Sequence, residues 1–171
     1  MVTAEDRAEA AGRRCLSARG FTILEVAAVL LLVGLLAVVA AVKLGGNNAK
    51  ATAEADAMRS VLRYAQSRAM ADVYTWGVSF NSTSYSLFSN NPSQTGHALP
   101  GQGSSTHTLT SGVTLSGTSP IIFDWRGQPV TGYVTTAGGS ATAATGYQNI
   151  TVTESGGSAG ITVTPYTGFV P

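Results

Sequence analysis

An apolar run near the amino terminus constrains this chain more than any other feature. The run extends from Phe21 to Val42 and contains one charged side chain, Glu25. At about 1.5 Å of rise per residue, a helix over the run is roughly 33 Å long, enough to cross the ~30 Å hydrocarbon core of a bilayer. A carboxylate in such a helix is costly and is usually functional. The run therefore predicts a membrane-spanning helix whose acid has a specific role.

Basic residues on both sides of the run indicate its orientation. Arg13, Arg14 and Arg19 precede it, and Lys43 and Lys50 follow it. Acidic residues count little in the positive-inside rule, so the bias favours an amino terminus inside and a carboxyl terminus outside.

Three conventional interpretations of the run compete. A signal peptide cleaved near Val38-Val39-Ala40 would have an apolar core longer than the usual ~7–15 residues, and this core would contain an acid. A plain amino-terminal anchor is also compatible with the run. A lipoprotein is excluded, because Cys15 follows Gly-Arg-Arg and not an apolar stretch.

Composition limits the other classes of function. The chain has 171 residues, enough for one domain with an appendage, and its formal net charge is +1. Nucleic-acid binding usually needs a basic patch, so this charge balance disfavours DNA as a partner. Cys15 is the only cysteine, and therefore no disulfide framework or cysteine metal site can exist after it.

A second helix is predicted beyond the run. Gly45-Gly46 predicts a kink or break, because tandem glycine is poor in a helix. Helical spacing then gives one apolar stripe, interpreted as the face that packs on a sheet, and one polar stripe, interpreted as a solvated face. The apolar stripe is Met58, Val61, Leu62, Ala65 and Ala69, and the polar stripe is Arg59, Arg63, Gln66 and Met70.

The rest of the chain has the pattern of strands and turns. TWGVSF and YSLF flank Asn81 to Ser84 and predict a hairpin, and Asn90 to Ser105 predicts a loop. Short β-rich runs follow, separated by Gly/Ser turns: HTLT, GVTL, PIIFDW, QPVTGYVT, YQNITVT and GITVTPYTGFV. The predicted fold class is α+β, with a long amino-terminal membrane-spanning helix packed on a carboxyl-terminal antiparallel β domain.

The segment G-F-T-I-L-E at 20–25 resembles the type III signal of type IV pilins and type II secretion pseudopilins. This resemblance implies cleavage between Gly20 and Phe21 by a prepilin peptidase, N-methylation of Phe21, and a requirement for Glu25 in assembly. An ammonium group and a carboxylate attract strongly in low dielectric, so Glu25 is interpreted as a partner for the amino terminus of a neighbouring subunit. The alternative is an acid that only snorkels at the helix end.

Three carboxyl-terminal motifs resemble pseudopilin H and FimT-like minor pilins, the GspH/FimT family. They are LRYAQSRAMADVYTWGVSF at 62–80, IIFDWRGQP at 121–129, and ITVTPYTGFV at 161–170, which resembles the closing strand of that family. The resemblance implies a leader peptide over 1–20, an amino-terminal helix over 21–72 whose residues 21–42 span the membrane, and a globular β-rich periplasmic domain over 73–171. It also implies two sheets packed against the helix, and single-pass insertion in the bacterial inner membrane.

Enzymatic interpretations are weak. Gly156 to Gly160 matches G-x-S-x-G, but strands flank it, and both histidines precede Ser158. His97 and His107 lie in loop-like sequence without nearby acidic or thiol partners, so no metal site is predicted. Gly101-Gln-Gly103 lacks the strand-to-helix setting of a dinucleotide loop.

A structural turn is predicted at Asp124 to Gly127, with the aspartate bonded to the turn backbone and the glycine supplying positive φ. The sequence thus predicts no catalytic residue, no metal, no cofactor and no small-molecule substrate.

The sequence favours a non-enzymatic filament subunit, a minor pilin or pseudopilin whose partners are prepilin peptidase, other pilin or pseudopilin subunits, and the inner membrane. The alternative is a membrane-anchored or secreted β-domain protein that binds a ligand and does not assemble. The processing of Phe21 distinguishes the two. Within the first class, DNA uptake, adhesion, motility and protein secretion all stay open.

Overall fold

The computed structural model describes residues 21–44 and 48–171, except residue 95. It divides into two compact units, residues 1–43 and 44–171, which are described separately. Helix α1 spans Ile23–Leu44, and all of it except its last residue belongs to the first unit. Leader residues 1–20 and the predicted break at Gly45-Gly46 lie outside the described residues. The division of the chain into leader, helix and β domain therefore stays a prediction.

The second unit is a helix on two antiparallel sheets, which confirms the predicted α+β class. Helix α2 spans Ala49–Asp72. The strands are β1 Trp76–Phe80, β2 Ser84–Ser89, β3 Thr106–Thr108, β4 Thr114–Gly117, β5 Ile121–Phe123, β6 Pro129–Val130, β7 Gln148–Glu154 and β8 Gly157–Val163. One sheet has the order β3-β2-β1-β5-β6, and the other has the order β4-β7-β8.

Hydrophobic periodicity explains how α2 packs. All five residues of the predicted apolar stripe are buried, and so are Ala51 and Ala55 one to two turns earlier. Helix α2 contacts β1 and β5 of the first sheet and β7 and β8 of the second. The core therefore lies between one helix face and the inner faces of both sheets. Burying a Leu- or Met-sized side chain stabilises the fold by about 1.5–3 kcal/mol, so this stripe is a principal source of stability.

The predicted hairpin is confirmed. Strands β1 and β2 pair with Phe80 opposite Tyr85, next to the connection that begins at Asn81. The Asn81 side-chain oxygen accepts hydrogen bonds from the backbone N–H groups of Thr83 and Ser84, both at 2.8 Å. An asparagine that bonds its own turn in this way fixes the hairpin locally.

The predicted closing strand over 161–170 is only partly correct. Strand β8 begins earlier, at Gly157, and ends at Val163. Beyond it, Tyr166 and Gly168 have φ of 62° and 66°, and the Gly168 N–H donates to the Thr164 carbonyl at 3.0 Å. Positive φ is incompatible with a strand, and Pro165 has no N–H to donate to a ladder. The chain therefore turns where the apolar residues suggested extension.

The predicted solvated face of α2 is only partly correct: Arg63 and Met70 are exposed, but Arg59 and Gln66 are half-buried. Arg59 Nη2 donates to the Gly160 carbonyl at 2.7 Å, and Arg63 Nη2 donates to the Val170 carbonyl at 3.0 Å. Gln66 Nε2 donates to the carbonyl of Gly127 at 2.8 Å. Carbonyl oxygens at strand edges and in turns need donors, and long side chains on α2 reach them. This polar stripe therefore ties the helix to the edge of β8 and to the carboxyl-terminal turn.

Candidate functional site

Helix α1 is apolar on every side. An 18-residue segment, Ile23–Ala40, has a mean hydropathy of 2.9, and none of it is buried in the structure. Large side chains such as Ile23 and Leu24 are 91% and 81% exposed. A helix that is hydrophobic all round needs an apolar environment, either lipid or other protein. The segment has the length and composition to cross a bilayer, as the sequence predicted.

The first turn of α1 is capped by Thr22. The backbone N–H of Glu25 donates to Thr22 Oγ1 at 3.1 Å, and the N–H of Val26 donates to the Thr22 carbonyl at 3.1 Å. Thr22 therefore serves as the N-cap and satisfies one of the unpaired N–H groups of the first turn. Sequence reasoning missed this residue, although T-x-x-E at 22–25 has the spacing of a capping box.

Glu25 lies in the first turn of α1, where the helix dipole favours negative charge. Its side chain is exposed, and no described hydrogen bond or ion pair engages its carboxylate. Phe21 and Glu25 line one shallow groove along the helix with Val26, Val29 and Leu30. The predicted assembly residue and the predicted new amino terminus thus share one face of the helix. No contact among the described residues prevents the Glu25 carboxylate from binding a cation.

Phe21 precedes the helix in non-helical backbone, and its side chain is 80% exposed. Gly20, on the other side of the predicted cleavage site, lies outside the described residues. The cleavage site itself therefore stays a prediction.

The cations of the second unit are all engaged in described contacts. Lys50, Arg59, Arg68 and Arg126 lie within ion-pair distance of Glu154, Asp56, Asp72 and Asp124 respectively, and Arg63 binds the Val170 carbonyl. A phosphate would have to compete with these contacts, so the described surface has no cluster of uncommitted basic side chains. This arrangement is unlike the basic stripe that nucleic-acid binding requires.

The predicted Asp124 turn is confirmed. Asp124 is fully buried, and its Oδ1 accepts hydrogen bonds from the backbone N–H groups of Arg126 at 2.9 Å and Gln128 at 3.0 Å. Oδ2 pairs with the Arg126 guanidinium at 2.9 Å. Gly127 has φ of 77°, the left-handed conformation that glycine adopts without strain. These contacts account for Asp124, Arg126 and Gly127 of D-W-R-G as structural residues of the turn.

The prediction that the histidines lack acidic partners is wrong for His107. Its Nε2 lies 3.1 Å from Glu54 Oε2, and the Gln102 amide nitrogen lies 3.0 Å from Nδ1. The Gln102 amide can only donate, so the ring proton is on Nε2 and points to Glu54. Thr110 donates to Glu54 Oε1 from its N–H at 2.9 Å and from its hydroxyl at 2.7 Å.

Glu54 is thus a buried acid, and the sequence analysis assigned it to neither stripe of α2. Burial alone would raise the pKa of Glu54, but hydrogen bonds from Thr110 and His107 outweigh it, and the pKa is lowered from 4.5. Burial, with Glu54 as a second cause, raises the pKa of the neighbouring Tyr85 to about 12. The network joins α2 to β3 and to the turn after it. Both oxygens of the Glu54 carboxylate are engaged by these structural hydrogen bonds.

The glycine-rich motifs are structural as well. Ser158 lies within β8, opposite Thr153 of β7, and is not at a strand-to-helix elbow. Gly101 belongs to a turn in which the Gln102 N–H donates to the Leu99 carbonyl at 2.9 Å. Within residues 21–44 and 48–171, no group of three or more His, Cys, Asp or Glu side chains could hold a metal ion.

Comparison with known proteins identifies the fold. No protein-family model matches the sequence, and no curated protein matches it significantly. Among solved structures, the minor pseudopilin EpsH from the type 2 secretion system of Vibrio cholerae is similar, with a TM-score of 0.52 at 11% identity over 71% of this chain and 94% of that chain. Two crystal forms of the type IV minor pilin FimU of Pseudomonas aeruginosa give TM-scores of 0.47 and 0.46 at 12% and 13% identity. They cover 71% and 70% of this chain and 86% and 90% of theirs. The similarity to EpsH shows that this chain has a pilin-like α+β fold.

Proposed function

We propose that this chain is a non-enzymatic subunit, a minor pilin or pseudopilin, of a type IV pilus or a type II secretion pseudopilus. It is anchored in the bacterial inner membrane by α1, with its globular unit in the periplasm, and it assembles with other pilin or pseudopilin subunits. The observation that carries the proposal is a pilin-like fold joined to an exposed apolar helix, whose first turn bears Glu25, an acid with no partner among the described residues.

Prepilin peptidase removes residues 1–20 in this proposal, and Phe21 is then N-methylated. Cleavage at Gly20 creates an ammonium group one residue before the Thr22 cap. Phe21 is exposed and lies in non-helical backbone. The amine and Glu25 are then on the same helix face, four residues apart.

Processing is tested by intact-mass analysis of membrane-extracted protein from cells that contain a prepilin peptidase. We expect the mass of the chain that begins at Phe21, with one added methyl group. The same chain from peptidase-deficient cells is the matched control and should retain the leader. Recovery of the uncleaved chain from peptidase-containing cells, or of a chain that begins near Ala41, would refute the proposal and favour a ligand-binding β domain that does not assemble.

In the assembled filament, Glu25 pairs with the Phe21 ammonium of a neighbouring subunit. Each charge alone would be costly within an apolar bundle, and the pair lowers that cost. Glu25→Gln removes one partner and leaves the other unpaired. Breaking a buried pair is strongly destabilising, so we expect incorporation into filaments to fall about 100-fold.

The assay measures leader loss by mass and subunit content of sheared filaments or crosslinked pseudopilus by immunoblot. Leader removal should survive in Glu25→Gln, because cleavage precedes contact between subunits. Glu25→Asp keeps the carboxylate and should retain more incorporation than Glu25→Gln. Normal incorporation of Glu25→Gln would disprove the pairing, and loss of cleavage would assign Glu25 to peptidase recognition.

A further inference from the structure

Four buried polar atoms without a described hydrogen-bond partner belong to one cluster, where the end of α2 meets β1 and the connection between β2 and β3. They are Arg68 Nε, Asp72 Oδ2, Trp76 Nε1 and His97 Nδ1. The described residues contain one other such atom, Gln148 Oε1. Buried polar atoms are nearly always hydrogen-bonded, so four exceptions among neighbouring residues need an explanation.

Trp76 is at the centre of the cluster and is 2% exposed. The guanidinium carbon of Arg68 lies 5.1 Å from the centroid of its ring, within the range of a cation–π contact. The His97 imidazole meets the indole edge-to-face, with centroids 4.9 Å apart and planes at 71°. Asp72 Oδ2 lies 3.1 Å from Arg68 Nη2, in an ion pair whose angles do not make a hydrogen bond.

Within residues 96–98, the His97 imidazole makes the described side-chain contact with the core, on Trp76. The connection is anchored at one end by the Asn90 N–H, which donates to the Thr75 carbonyl at 3.1 Å. At the other end Leu99 is buried, and its N–H donates to the Ser104 carbonyl at 2.8 Å. Residues 96–98, between these anchors, make no described backbone hydrogen bond. The edge-to-face contact of the imidazole with Trp76 is therefore the described contact that attaches them to the core.

We propose that His97 is an acid-sensitive latch, which holds residues 96–98 against Trp76 when its ring is neutral and releases them when the ring is protonated. A neutral ring can keep the buried Nδ1 as a lone pair. An imidazolium has a second N–H, which would be buried without an acceptor near the Arg68 guanidinium. Asp72 is the one described anion that faces the ring, and it is already in an ion pair with Arg68.

The direction of the pKa agrees with this geometry. Burial lowers the pKa of His97 from 6.5, Asp72 opposes this, and Arg68 adds to it. The charged or titratable groups near the latch are Arg68 and Asp72 on α2, and Tyr64, whose ring lies 6.4 Å from Trp76. A lowered pKa means that docking has its full stability above pH 6.5 and loses it as the pH falls through the folded value.

The test uses the full chain in detergent micelles with Trp125→Phe, which leaves Trp76 as the sole tryptophan. Trp76 fluorescence is followed from about pH 8 to about pH 4.5, the range in which histidine titrates. We expect one reversible transition with a midpoint below 6.5. Adding His97→Gln should abolish it, and adding His107→Gln, the matched control, should leave it in place. A transition that survives His97→Gln, or none in the parent chain, would overturn the proposal.

The neighbouring charges supply a second test. Arg68→Gln removes the repelling cation and should raise the midpoint, whereas Asp72→Asn removes the compensating anion and should lower it. If His97→Gln does not fold, a histidine NMR titration of the unsubstituted chain replaces it. The His97 and Trp76 indole resonances must then change with one shared midpoint, and separate midpoints would also overturn the latch.

Discussion

Asp124→Ala tests whether the buried aspartate builds the β5–β6 turn. The substitution removes the acceptor of two backbone N–H groups, at 2.9 and 3.0 Å, and one side of the ion pair with Arg126. A hydrogen bond to a charged group contributes about 1.5–3 kcal/mol, but Arg126 is exposed and Gln128 is half-buried, so water recovers part of each bond. Because the Arg126 side chain is 47% exposed, its ion pair adds at most about 0.5–1 kcal/mol.

The expected loss in the free energy of unfolding is therefore about 3–4 kcal/mol. For a unit of this size, 1 kcal/mol corresponds to roughly 3–5 °C, so the melting temperature should fall by about 10–20 °C. Asp124→Asn keeps one acceptor oxygen and should lose about 1–1.5 kcal/mol. Asp56→Ala is the matched control: its side chain is 67% exposed in an ion pair with Arg59, and it should lose less than about 0.5 kcal/mol.

The measurement is thermal unfolding of the four proteins at neutral pH, followed by near-ultraviolet circular dichroism. The reasoning requires the order wild type, Asp56→Ala, Asp124→Asn, Asp124→Ala, from most to least stable. If Asp124→Ala melts with Asp56→Ala, the buried carboxylate does not stabilise the turn, and D-W-R-G must be reconsidered as a ligand-binding motif.

Three further predictions concern the globular unit. A fragment that begins at Asn47 should fold alone, with mixed helix and sheet circular dichroism and a cooperative melt, and salt-dependent sub-micromolar binding to duplex DNA would contradict the charge analysis. Gly168→Ala should destabilise the unit by more than about 2 kcal/mol, because φ is 66° and the new methyl group meets the Gly127 carbonyl. Val73→Gly should stabilise it by about 0.5–1 kcal/mol, because it relieves φ of 62° at the end of α2. Chemical denaturation measures both changes in the free energy of unfolding, and two changes of the same sign would refute this. The lowered pKa of Glu54 means that its stabilising contribution is present above pH 4.5 and is lost as the pH falls through the folded pKa. The difference in melting temperature between wild type and Glu54→Gln should therefore shrink in acid. A difference that does not change with pH would contradict the assignment.

Local features of the sequence predicted those parts of this protein that depend on local spacing. The apolar run gave α1, and the spacing of Met58, Leu62 and Ala65 gave the buried face of α2. The turns at Asn81 to Ser84 and at Asp124 to Gly127 were predicted, and in each the first side chain bonds backbone two to four residues away. In all these cases the deciding interactions join residues within one or two helical turns or one hairpin. The order of residue types along the sequence therefore predicts them.

Only the tertiary structure assigned the long-range polar contacts. Arg59 binds Gly160, and Glu54 binds Thr110, across more than fifty residues of chain. An arginine or glutamate on a helix has the same spacing whether it meets water or a carbonyl of a distant strand, so sequence periodicity predicted a solvated face. The contact of His97 with Trp76 likewise depends on how a loop folds back over β1. The physical reason is that such partners are chosen by which backbone groups packing leaves unpaired, and packing is decided by the whole core together.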